Sequence, residues 1–292
     1  MPTITTTVTR IAYPAAATGD PATWYIIITP QGACKGDIEF RPREGDRLIM
    51  DGEWTTYQGN RQFAFRSARL DIPTQPRDQL AYVCARAHGL GPAMEALIWD
   101  AAGEGWQDIT EGQVPRLRGA LYEAYRDAIT AMQDDLVKAR VVAALEARGC
   151  TIKMAERAWV RWGEDATSVA ESDCYRLAEL DGYGYRDVDG KVRAAYGVGD
   201  DDPRRIRAAV LYALRRLTDA GDTVMEWAAV YREAVAACGS AQAGLVTDCA
   251  GELIEAGEVV ACGDGGELMA LAGDWRDERD VWEWVVSAEV VI

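Results

Sequence analysis

The sequence predicts a multi-domain α+β protein: a small N-terminal β-barrel, a central all-α region of tandem helical hairpins, and a mixed C-terminal segment. Short alternating segments rich in β-branched residues fill residues 1–72. Beyond them, apolar residues recur at helical spacing, and turns separate helix pairs about 30–35 residues apart. The hydrophobic content of 49%, with 10 Trp and 12 Tyr, is typical of folded domains. We predict domains at 1–72, 73–202 and 203–272, followed by a helix at 273–292.

The first domain is predicted to contain five short strands separated by turn residues. The predicted strands are Thr5–Ile11, Trp24–Thr29, Gly36–Phe40, Asp46–Gly52 and Gln62–Leu70. Five strands in about 65 residues indicate a small barrel of the OB type. Trp54, Tyr57 and Phe63 either stack on nucleic-acid bases or fill the barrel, and the sequence leaves both readings open.

The second domain contains the most informative turn of the chain, Gly182-Tyr183-Gly184-Tyr185, between two amphipathic segments. This layout is typical of a helix-hairpin-helix unit, in which outward-pointing N–H groups take up a phosphate without any reading of bases. We therefore predict that Gly182, Gly184, Tyr185 and Arg186 bind DNA, with Lys191 and Arg193 in support. Gly184→Val is expected to block left-handed backbone geometry and close approach.

Three further helix pairs precede this turn. Gln79–His88 and Pro92–Ala102 flank Gly89 and Gly91, which are weaker candidates for DNA binding. Between Val114 and Ile129 the glycines are replaced by Arg116-Leu117-Arg118, so this hairpin is degenerate, but Arg116 and Arg118 can hold phosphate by charge. The last pair surrounds Gly149-Cys150-Thr151.

Three helices and a β-hairpin predict a winged-helix-like third domain. They are Pro203–Asp219, Glu226–Ala237, Gln242–Ala256 and the strands Glu258–Cys262 and Glu267–Leu271. The third helix carries Asp248, Glu252 and Glu255 and no basic residue, which favours protein packing over insertion into a DNA groove. An amphipathic helix with three tryptophans is predicted over Asp274–Val291.

The order of these motifs resembles the N-terminal extension of RecD-like DNA helicases. The matching segments are Cys174-Tyr175-Arg176-Leu177, Gly182–Tyr185, Val188-Asp189, Gly197-Val198 and Pro203–Ala208, together with Gly45-Asp46, Gly52-Glu53-Trp54 and Asn60–Phe63 in the barrel. Cys174, Val188 and Asn60 depart from the family's proline, alanine and glycine. The resemblance implies that the helix at 273–292 leads towards an ATPase core, which in longer proteins makes an ATP-dependent 5'–3' helicase.

No catalytic motif accompanies these modules. A phosphate-binding loop needs G-x-x-x-x-G-K-[ST], whereas the one Gly-Lys pair, Gly190-Lys191, is followed by Val192. A single histidine, His88, leaves no credible catalytic triad. We expect no cofactor and no metal site in this chain, and whether it forms part of a longer enzyme stays open. The helical pattern that continues to Ile292 favours a piece of a longer helicase.

The charge distribution limits the possible binding partners, and the cysteine content indicates the cellular compartment. The net charge is −16, and residues 241–292 hold 12 acidic and 2 basic groups, so the earlier domains can still face DNA. We expect the acidic C-terminal region to contact a helicase motor domain or another protein subunit. Seven scattered cysteines without C-x-x-C predict reduced, mostly buried thiols in the cytoplasm, and no apolar run predicts a membrane span.

The leading interpretation is a non-catalytic, sequence-independent DNA-binding and positioning module of a RecD-like helicase, or a stand-alone accessory protein derived from one. The alternative is an acidic protein-interaction or scaffold subunit, in the extreme a DNA mimic, whose hairpin domains are structural.

Overall fold

A computed structural model describes residues 2–14, 24–38, 40–219, 221–263 and 265–289. The chain divides into two compact units, residues 1–147 with 151–166 and residues 148–150 with 167–292. A β-sheet region at the N-terminus, a helical middle and a mixed C-terminal segment confirm the predicted α+β class.

The N-terminal sheet contains six strands where five were predicted. They are β1 (Thr3–Thr7), β2 (Arg10–Tyr13), β3 (Trp24–Thr29), β4 (Gly32–Asp37), β5 (Arg47–Tyr57) and β6 (Asn60–Leu70). Their order is β1-β5-β6-β4-β3-β2, and only the β4–β6 pair is parallel. The predicted first strand is bent between β1 and β2, where Val8 N–H donates to Asp46 and Thr9 N–H donates to Ile28. This bent strand therefore links both edges of the sheet.

Alternating residues of the sheet form one core, which includes Ile27, Leu48 and Phe63. Phe63 is fully buried, so of the two readings that the sequence left open it fills the interior. A Cβ at Gly52 would lie 2.2 Å from the carbonyl oxygen of Ala64, so the irregular pairing of β5 with β6 at this point requires glycine. Strand β5 extends to Tyr57, beyond the predicted end at Gly52, because it forms a long hairpin with β6.

Four helices complete the first unit: α1 (Pro76–Arg86), α2 (Pro92–Ala102), α3 (Ala120–Ala147) and α4 (Ile152–Trp162). Proline occupies the start of α1 and of α2, where its missing N–H costs no helical hydrogen bond. The first three helices share a core around the fully buried Trp106, whose carbonyl oxygen accepts a hydrogen bond from the hydroxyl of Tyr125.

A buried charge cluster lies within the first unit. Arg86 contacts Asp46 at 3.2 Å, pairs with Asp135, and donates to the hydroxyl of Tyr82 at 2.8 Å. Asp46 also accepts the N–H of Arg43 at 2.7 Å. Burial raises the pKa of Asp46 to about 6, although Arg86 partly offsets this effect by stabilising the carboxylate.

The second unit contains α5 (Ala166–Ser172), α6 (Tyr185–Lys191), α7 (Pro203–Thr218), α8 (Trp227–Cys238), α9 (Ala243–Glu255) and α10 (Ala272–Glu289). Helices α7, α8 and α9 pack on one another. A small sheet has the order β7-β9-β8, formed by β7 (Met225–Glu226), β8 (Val259–Cys262) and β9 (Leu268–Leu271). The two-residue β7 was not predicted because it is too short to show alternation.

All seven cysteines are free thiols, and six of them are buried, as the sequence predicted. Within the described ranges, no helix is both long and apolar enough to cross a membrane.

Candidate nucleic-acid interface

Four turns along the chain share one backbone geometry. Gly89, Arg116, Gly149 and Gly182 all have positive φ, at 87°, 72°, 87° and 75°. In three of these turns the next residue donates its N–H to the carbonyl three residues earlier, at 3.0–3.2 Å for Leu90, Leu117 and Tyr183. The turn at Arg116 therefore keeps the hairpin geometry although its sequence lacks the glycines.

In two turns, no contact inside the chain requires the residue at the second glycine position to be glycine. Gly91 and Gly184 precede α2 and α6 with extended backbone, a conformation that any residue adopts. A Cβ added at either position meets no atom within 4 Å. The left-handed residue of the last turn is Gly182, which corrects the prediction that Gly184 has this geometry. The surface outside Gly91 and Gly184 is thus open to a partner.

The turns differ in how their helix starts are capped. Asp187 accepts the N–H of Gly184 at 3.3 Å, and the hydroxyl of Thr151 accepts the N–H of Met154 at 3.2 Å. Gly91, in contrast, has no side-chain cap. Both helix starts carry a carboxylate in the first turn, Asp187 on α6 and Glu95 on α2, but only Asp187 accepts a backbone N–H of its turn, so the amides of the Gly91 turn are the more open of the two.

In the first unit, the turns at Gly89–Gly91 and Arg116–Arg118 lie side by side. Leu90 and Leu117 belong to the same core, and a Cβ at Gly89 would lie 3.0 Å from the Leu121 side chain. Arg116 and Arg118 are both exposed. The turn at Gly89 thus packs against the start of α3, shortly after the two cations, which were predicted separately.

In the second unit, two predicted contact residues have partners inside the chain. The ring of Tyr185 is 3% exposed and stacks between Tyr175 and Tyr212 at centroid distances of 5.6 and 5.3 Å. Arg193 donates to the carbonyl oxygens of Asp189 and Val198 and pairs with Asp200. The burial of Tyr185 corrects its predicted DNA contact, whereas Arg193 is half-buried with its guanidinium bound inside the chain, and its DNA contact stays a prediction.

Two other predicted residues of this unit are exposed. Lys191 pairs with Asp187 at 3.0 Å on the surface of α6. The guanidinium of Arg186 is exposed and lies 5.8 Å from the ring of Tyr212.

The structure adds basic residues that sequence reasoning missed. A cleft of about 700 Å³ lies between the Gly184 turn and α7, and its lining includes Arg207, Arg215 and Arg216. Arg207 and Arg215 are eight residues apart and thus share one face of α7. That spacing was readable in the sequence.

The N-terminal sheet carries two cation–aromatic pairs. The guanidinium of Arg61 lies 4.0 Å from the ring of Trp54, and Nζ of Lys35 lies 5.5 Å from the ring of Tyr57. Tyr57 is 59% exposed, so among Trp54, Tyr57 and Phe63 it is the most accessible for stacking.

Residues 137–224 match a family described as the ATP-dependent RecD2 DNA helicase HHH domain. A relative, the ATP-dependent RecD2 DNA helicase of Deinococcus radiodurans, is 30% identical over an alignment of 164 residues that covers 52% of this chain and 22% of the relative. The chain spans less than a quarter of the length of this relative. Both matches confirm the resemblance to RecD-like helicases that the motifs indicated.

Proposed function

Because its middle is similar to the helix-hairpin-helix domain of RecD2 DNA helicases, we propose that this chain is a non-catalytic module that binds the DNA backbone. The binding is independent of sequence and positions DNA for a RecD-like motor. Phosphate contacts fix register and orientation without reading bases, which is what a helicase needs while it moves along any sequence.

The observation that carries this proposal is the pairing of the uncapped Gly91 turn with Arg116 and Arg118 on the neighbouring turn. Free amides at a helix start attract a phosphate, and two exposed guanidinium groups add charge-assisted hydrogen bonds. Glycine at position 91 leaves space for close approach, since nothing within the chain fills it.

We further assign the N-terminal barrel to the OB type and residues 203–272 to the winged-helix type. The bent first strand, which pairs with β5 and with β3, supports the first assignment. Three packed helices followed by the β8–β9 hairpin support the second. Helix α9 carries Asp248, Glu252 and Glu255, so we assign it a packing role.

The test is Gly91→Val, measured by fluorescence anisotropy on duplexes of several sequences over a salt series. The extended backbone accepts valine, so the variant is expected to fold and to lose affinity equally for every sequence. Gly251→Val on α9 is the matched control, because a Cβ there also meets no atom within 4 Å. Wild-type affinity of the folded Gly91→Val protein would show that this turn is structural.

A second candidate function is protein docking through the acidic C-terminal region. Val281 and Trp282 on α10 are 63% and 65% exposed, an arrangement that is typical of an interaction surface. The same assay separates the candidates: if the wild-type chain binds no DNA at low salt, the docking function is favoured.

A further inference from the structure

The cleft beside the Gly184 turn has two walls of different origin. One is the 3-10 helix Cys174–Glu179 with the turn that follows it, and the other is the face of α7 from Arg207 to Asp219. We propose that this cleft binds unpaired nucleotides of single-stranded DNA. This binding rests on the proposed function and specifies single-stranded DNA as the form of DNA that the second unit recognises.

The cations of the cleft suit a phosphate chain. Arg207 and Arg216 line it, and each also pairs with a carboxylate outside the lining, Glu258 and Glu233 respectively. Arg215 is exposed on the same face, and among the described residues no carboxylate pairs with it. Arg176 is a fourth guanidinium of the lining and pairs with Glu179 at 3.2 Å, so Arg215 is the cation best placed to take a phosphate.

The aromatic wall suits a base. Tyr212 is the last ring of a three-ring stack with Tyr185 and Tyr175, with interplanar angles of 26° and 13°. The hydroxyl of Tyr175 donates to Asp189 at 2.6 Å, which fixes the far end of the stack. A ring held in this way offers a preformed stacking surface, and every base has a face that can use it.

The size and shape of the cleft favour single-stranded over double-stranded DNA. About 700 Å³ accommodates a small ligand such as a nucleotide but not stacked base pairs. Gly184 lies in the lining, and its missing side chain keeps that end open. An acidic peptide would satisfy the arginines but would not use the Tyr212 ring, so nucleotides fit the lining better.

The experiment compares a thymidine 20-mer with an abasic 20-mer of equal phosphate count, by anisotropy at several salt concentrations. Wild type is expected to bind the thymidine oligomer roughly 5- to 150-fold more tightly, the range given by stacking of one base on an aromatic ring. Tyr212→Leu should remove that difference, and Tyr212→Phe should retain it. Arg215→Ala should weaken binding of both oligomers, whereas Arg232→Ala on α8, an exposed arginine outside the lining, should change neither.

Tyr212 is half-buried, so Gly184→Val provides a second route if Tyr212→Leu does not fold. Valine would project into the cleft and should reduce the preference for the thymidine oligomer. Equal binding of both oligomers by wild type, or competition by a polyglutamate peptide at equal charge concentration, overturns the inference while duplex binding still stands. If neither the duplex nor any oligomer binds, the proposed function fails first.

Discussion

Arg205 donates two hydrogen bonds to the two carboxylate oxygens of Asp189, at 2.7 and 3.1 Å. Arg205 also donates to the carbonyl oxygen of Cys238 at 2.7 Å, so the pair joins α6, α7 and the end of α8. Burial alone would raise the pKa of Asp189, but the hydrogen bonds from Arg205 and Tyr175 outweigh this effect and lower the pKa below its ordinary value. The motifs Val188-Asp189 and Pro203–Ala208, which carry the family resemblance, thus contribute a structural link inside the second unit.

Breaking this pair is expected to destabilise the second unit. Arg205→Met leaves the Asp189 carboxylate without its bidentate partner, and loss of one member of a buried pair costs about 3–5 kcal/mol. The free energy of unfolding in urea measures the effect. Arg279→Met is the matched control, since Arg279 and its partner Glu283 are both exposed on α10 and such pairs contribute up to about 1 kcal/mol. Equal small losses in both variants would contradict the structural role of Arg205.

The raised pKa of Asp46 predicts a specific pH dependence of stability. Its folded pKa of about 6 exceeds the ordinary value of 3.8, so the folded state binds the proton more tightly. The contribution of this group is fully present below about pH 4 and is lost as the pH rises towards 6. Relative to Asp46→Asn, the wild-type unfolding free energy should therefore be larger at pH 4 than at pH 7, by roughly 2–3 kcal/mol. A wild-type advantage that grows with pH would contradict this sign.

Arg116 and Arg118 are expected to act through phosphate contacts. The double variant Arg116→Ala/Arg118→Ala should weaken duplex binding and reduce the slope of log affinity against log salt by about 1.8, or about 0.9 for each lost contact. Arg232→Ala removes an exposed charge from α8 and should leave the slope unchanged. An unaltered slope in the double variant would place the phosphate contacts elsewhere.

The C-terminal helix α10 is expected to contribute nothing favourable to DNA binding. Residues 241–292 carry 12 acidic groups against 2 basic ones, and such a surface repels phosphate. Removing residues 273–292 should leave the duplex affinity equal or slightly higher. Val281→Ser/Trp282→Ser is a milder variant, which should shift stability by only about 0.5 kcal/mol because both side chains are exposed. Weaker DNA binding by either folded variant would contradict the assignment.

The sequence predicted the elements better than the orientation of individual side chains. Strand β3 lies at Trp24–Thr29 as predicted, because alternation and flanking turns mark both of its ends. The break at Val8 was missed, since pairing with two different strands is a tertiary property.

Tyr185 was placed at the surface because it follows the glycine turn. Its spacing from Val188 already indicated a shared buried face of α6, and both residues are buried. The cleft beside Gly184 combines a turn with a helix that begins almost twenty residues later, so no local pattern describes it as one site.

At position 116, selection for stability and selection for nucleic-acid affinity favour different residues. A non-glycine residue at φ 72° loses roughly 1 kcal/mol to backbone strain, which Arg116→Gly would relieve. A screen for heat resistance alone would thus enrich glycine at this position and discard a guanidinium from the first unit. Selection of a thermostable variant of this chain should therefore include selection for retained nucleic-acid affinity in the same round.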